Sequence, residues 1–82
     1  MVYKVVLVKV DQRSTEATKV QEILTKYGCN IHVRLGLHEV SNEFCANDGL
    51  VVLEVQGEQN ILDNMLGELN ALKFVQAKLI EM

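Results

Sequence analysis

The chain contains no run approaching the ~20 consecutive apolar residues of a membrane-spanning helix, no CxxC pair, no cluster of lysine and arginine, and no glycine-rich loop. The first absence argues against a membrane span. The opening Met1-Val2-Tyr3-Lys4 lacks the basic stretch and longer apolar segment of an export signal. The two cysteines, Cys29 and Cys45, are therefore expected as reduced thiols in the cytoplasm. The net charge is −3 and the basic residues are scattered. Phosphate neutralisation needs a basic face, so direct nucleic-acid binding is not expected, although a DNA-binding partner is compatible with the chain.

Eighty-two residues fit one domain, residues 1–82. A chain of this size hides only ~60–65% of the surface its unfolded form exposes, so its core is thin. Hydrophobic residues nevertheless make up 49%. Oligomerisation would use that excess.

Val2 to Val10 reads as a strand apolar on both faces. Asp11 or Ser14 is the expected N-cap of a helix from about Thr15 to Tyr27, in which Ala17, Val20, Ile23, Leu24 and Tyr27 share one face. Glu22 and Lys26 stand at i,i+4 spacing on its wet side, and Gly28 is placed for a left-handed C-terminal cap. Strand two, Ile31 to Leu37, alternates. Ile31, Val33, Leu35 and Leu37 are expected on one face, His32, Arg34, Gly36 and His38 on the other. Strand three spans Leu50 to Gln56 and helix two Glu58 to Leu69, with Gly67 inside it as either a close contact or a tolerated glycine. Phe74 to Glu81 completes the set as strand four.

This βαββαβ order is that of a ferredoxin-like α+β fold, a four-stranded antiparallel sheet with two helices on one face. Strands one and three are then central, in keeping with their apolar residues on both faces. The helices cover one face. The other would expose valine and leucine, which predicts a homodimer or tetramer that covers this face or extends the sheet.

Many functions use this architecture. Strand three carries no aromatic on which bases could stack, and the Val10–Thr15 loop has neither cysteine nor histidine for a copper carrier. Arg13 in that loop has no glycine near it to build a phosphate cradle. The segment that stands out is His38 to Gly49, expected as a long connection, with Glu39, Glu43 and Asp48 and no basic residue. Phe44 and Cys45 would anchor it. Arg34 has two readings, a salt bridge with Glu54 on the neighbouring strand or a bidentate clamp for a carboxylate or phosphate effector. Gly36, two residues on, leaves room for a ligand to approach. A candidate ligand-binding set is thus Arg34, Gly36, His38 and Glu39. A transition metal, nickel or zinc, has candidate donors in His32, His38 and Cys45, although their spacing matches no recognised ligand motif. Cys45 with His38 and Glu39 would formally give a nucleophile, base and orienter, but acidic surroundings raise a thiol's pKa. An enzyme is not expected.

Leu24-Thr25-Lys26-Tyr27-Gly28, then Ile31-x-x-Arg34-x-Gly36-Leu37, a loop and a Val/Leu strand together resemble the iron-only hydrogenase system regulators. These are small ACT-like domains, similar also to the C-terminal, effector-binding part of nickel-responsive regulators. The resemblance implies an ACT-like ferredoxin fold and assembly through sheet and open-face contacts. It implies a regulatory role linked to hydrogenase or redox metabolism, with a small-molecule or metal effector at a subunit interface. Only His38 and Cys45 match the nickel ligands in kind, and the glycine-bearing turn of amino-acid-binding ACT domains is missing from Val10 to Thr15. The expectation is a non-catalytic effector-sensing homo-oligomer. The alternatives are a metal sensor or carrier and an interaction partner without a ligand.

Overall fold

A computed structural model describes residues 1–11, 14–40 and 45–82, with side chains described outside 37–40 and 45–48. The elements run β1 (Lys4–Val10), α1 (Ala17–Lys26), a 3₁₀ turn (Gly28–Asn30), β2 (Ile31–Val40), β3 (Cys45–Val55), α2 (Gln59–Asn70) and β4 (Val75–Glu81). All three strand pairings are antiparallel and the sheet order is β2-β3-β1-β4. This is the ferredoxin-like fold, with β1 and β3 in the centre.

The two central strands owe their place to double-sided apolarity. Val6, Val8, Leu53 and Val55 pack beneath the helices with Val20, Leu24, Leu62, Met65 and Leu69. On the opposite face Val5, Leu7 and Val52 are only half-buried. Leu50, Val33, Leu35 and Ile80 are 36%, 53%, 53% and 42% exposed there, an apolar surface that one chain leaves open.

Several local expectations are corrected. The segment His38–Gly49 is mostly strand, since β2 runs on to Val40 and β3 begins at Cys45. Backbone pairing, indifferent to side-chain polarity, carries the two strands into this acidic stretch as far as Val40 and Cys45. Arg13, Glu43 and Phe44 lie outside the described residues. Neither Asp11 nor Ser14 caps α1. The Ser14 hydroxyl accepts the Glu16 N–H at 3.1 Å, a local turn that delays the helix to Ala17. Gly28 is not left-handed, because the helix tightens into the 3₁₀ turn instead of terminating there.

Tertiary contacts close the loops. The Lys73 N–H donates to Glu16 Oε2 at 2.7 Å and ties the α2–β4 turn to the start of α1. Asn70 bonds the edge strand β4, its Oδ1 accepting the Ala77 N–H at 2.8 Å and its Nδ2 donating to the Ala77 carbonyl at 3.0 Å. That covers the middle of an edge otherwise open to strand addition. Gly57 adopts φ 137°, and a Cβ there would strike Asn30 Nδ2. No helix among the described residues is long and apolar enough to cross a membrane.

Candidate functional site

A bulge decides what β2 presents. The register skips between Ile31 and Val33, with Ile31 opposite Val55 and Val33 opposite Glu54. His32 is the extra residue, and the alternation turns over at that point. Ile31 therefore joins the core on the helix side, whereas Val33 and Leu35 stand on the open face. Arg34 pairs with the buried Leu53, which places it on the helix side and away from Glu54. Its guanidinium donates to the Gln21 carboxamide of α1, and the expected Arg34–Glu54 bridge is absent.

The helix-side row continues with Gly36 opposite Val51 and His38 opposite Gly49. A Cβ on Gly36 would meet no atom of the described residues within 4 Å, so among these residues open space adjoins Arg34 along the edge strand. Arg34 is exposed and, among the described residues, makes no ion pair. A guanidinium bonded only to a neutral amide keeps its affinity for a carboxylate or phosphate. Three of the four proposed ligand residues, Arg34, Gly36 and His38, thus occupy successive positions of one row. Glu39 lies one residue further, where the register shifts again between His38 and Val40.

The metal donors divide. His32 stands six residues from His38 along an extended strand, roughly 20 Å at strand rise. The two cannot serve one ion within a chain. Cys45 pairs with Val40, two positions from His38 across the ladder, so these two are neighbours on adjacent strands. Two donors do not complete a site, and no group of three ligating residues occurs among the described residues. Cys29 is an exposed free thiol.

A second polar cluster joins the two helices. The Tyr27 hydroxyl donates to Glu68, and Lys26 Nζ reaches both Glu68 oxygens at 2.9 and 3.1 Å while lying 5.3 Å from the Tyr27 ring centre. Lys26 thereby engages Glu68 and not the expected Glu22. The Tyr27 hydrogen bond, and then that of Lys26, hold the Glu68 carboxyl below its ordinary pKa. The bond to Glu68 likewise raises Tyr27 and Lys26. Partners 41 and 42 residues apart leave no periodic signal in a sequence.

No family model matches the chain, and no curated protein matches it. Among solved structures it is similar to the uncharacterized protein TM1266 from Thermotoga maritima, with TM-score 0.82 and 19% identity over 98% of this chain and 95% of that one. It is also similar to apo CPII, a nitrogen regulatory PII-like protein from Thiomonas intermedia K12 (TM-score 0.61, 8% identity, 100% of this chain and 90% of that one). CPII bound to ADP, AMP and acetate matches with TM-score 0.53 and 11% identity over 99% and 88%. At these identities the likeness concerns the fold.

Proposed function

We propose that the chain is a non-catalytic, cytoplasmic regulatory module that works as a homo-oligomer and senses a small anionic effector. The observation that carries this reading is the exposed Arg34 guanidinium, bonded to a neutral amide beside the open space over Gly36. Carboxylate and phosphate are the groups such a fork binds in pairs of hydrogen bonds. CPII, which has the same architecture, is known with ADP, AMP and acetate bound, all of them anions. The resemblance to hydrogenase system regulators supports a link to hydrogenase or redox metabolism.

Calorimetric titration with acetate, inorganic phosphate, ADP and AMP tests the proposal. At least one should bind, and Arg34→Ala should weaken it tenfold or more, the loss expected when a charged hydrogen bond worth about 1.5–3 kcal/mol is removed. Binding unchanged in Arg34→Ala would refute the site.

A second reading rests on His38 and Cys45 being neighbours on adjacent strands. Imidazole and thiolate would hold nickel or zinc, with a second chain supplying the remaining donors. Titration of chelator-treated protein with either ion should then show submicromolar binding that is lost in His38→Ala and in Cys45→Ser. Equal affinity in both variants rules it out.

A further inference from the structure

The bond between Arg34 and Gln21 runs in one direction only, and that fixes how the carboxamide stands. A guanidinium donates from all its nitrogens and accepts at none. Arg34 Nη2 therefore faces Gln21 Oε1, and the amide nitrogen Nε2 is left over as a donor. Both residues are exposed, and neither side chain makes a further hydrogen bond or an ion pair among the described residues. Gly36 follows two residues along the same row, exposed and with no described atom within 4 Å of a Cβ there. A charged fork, a neutral donor tethered to it and unfilled space thus adjoin one another. Among the described residues no carboxylate takes up the fork's charge.

We infer, building on the anion-sensing reading of Arg34, that Gln21 makes this site selective for a phosphoryl group over a carboxylate. A carboxylate is planar, and the guanidinium engages both its oxygens edge to edge, so no oxygen is left for the carboxamide. A phosphoryl group presents a third acceptor oxygen, and its oxygens are tetrahedral. Two of them take the fork in the same bidentate way. The next lies outside the plane of the fork, and Gln21 Nε2 is the donor that meets it. Being neutral, the amide adds this bond without cancelling the charge that attracts the anion. A glutamate in its place would pair with Arg34 and close the site. Gly36 gives room for the group that the phosphoryl carries, since a side chain there would stand on the helix-side row beside the fork.

Calorimetric titration of the full chain with acetate, inorganic phosphate and AMP at one ionic strength tests this in wild type, Gln21→Ala, Gln21→Glu and Arg34→Ala. Wild type should bind a phosphoryl ligand more tightly than acetate. Gln21→Ala should weaken phosphate and AMP about tenfold, the loss of one hydrogen bond to a charged group, and leave acetate within about twofold. The ratio between the anions isolates Gln21, because the higher charge of phosphate favours it in both proteins alike. Gln21→Glu should abolish binding of all three. Gln21 and Arg34 are exposed, and thermal melts confirm that each variant keeps its fold. Equal affinity for phosphate and AMP identifies the free ion as the ligand. Tighter binding of AMP, weakened in Gly36→Val, identifies a monoester.

Phosphate and AMP binding that is indifferent to Gln21→Ala, or acetate weakened there as much as phosphate, overturns the selectivity. If Arg34→Ala still abolishes binding in that case, Arg34 remains a general anion site. Wild type that binds none of the three, or binding untouched by Arg34→Ala, overturns the Arg34 reading itself.

Discussion

At the scale of single residues, two glycines with the same composition value have opposite roles. Gly57 sits at φ 137°, where side chains are strained, and a Cβ would strike Asn30 Nδ2. Gly57→Ala is expected to cost about 1–3 kcal/mol in chemical denaturation. Gly67, inside α2, has nothing within 4 Å of its Cβ position. Of its two sequence readings, simple tolerance holds, and Gly67→Ala should stabilise the protein by about 0.5–1 kcal/mol. Sequence shows both as glycine near a helix. Only the backbone conformation and the neighbouring Asn30 separate them.

At the scale of elements, the sequence periodicities located the four strands and the two α-helices of the described residues, because burial on one or two faces leaves its spacing in the chain. They misjudged boundaries where local bonding wins. Ser14 holds a turn ahead of α1, and backbone pairing extends β2 and β3 into an acidic stretch. The bulge at His32 moved Arg34 to the helix side, a reversal invisible to a count by twos. Asn70 pins α2 to the edge of β4, so Asn70→Ala should destabilise by about 1–3 kcal/mol by leaving both Ala77 groups without their partner. The α1–α2 link through Glu68 adds a dependence on pH. Its depressed carboxyl contributes stability that is present above the ordinary value of 4.5 and lost as pH falls below it. The raised Tyr27 and Lys26 contribute stability present below their ordinary values of 10.0 and 10.5 and lost as pH rises past them. Thermal melts across pH should therefore show both flanks flattened in Glu68→Gln.

At the scale of the whole molecule, an apolar excess in a short chain goes with an exposed apolar surface, the open sheet face with Val33, Leu35, Leu50 and Ile80. If self-association stabilises the fold, the midpoint of thermal unfolding should rise with protein concentration by mass action. A midpoint constant over a hundredfold range would contradict this. The sequence by itself determined the element order, the central strands and the two-faced apolarity, since these follow from side-chain burial repeated at fixed intervals. Only the tertiary structure decided which face Arg34 occupies, which residue holds Lys26, and that His32 and His38 stand too far apart to share an ion. Those outcomes depend on register and on partners distant in the chain, which no local pattern of residues encodes.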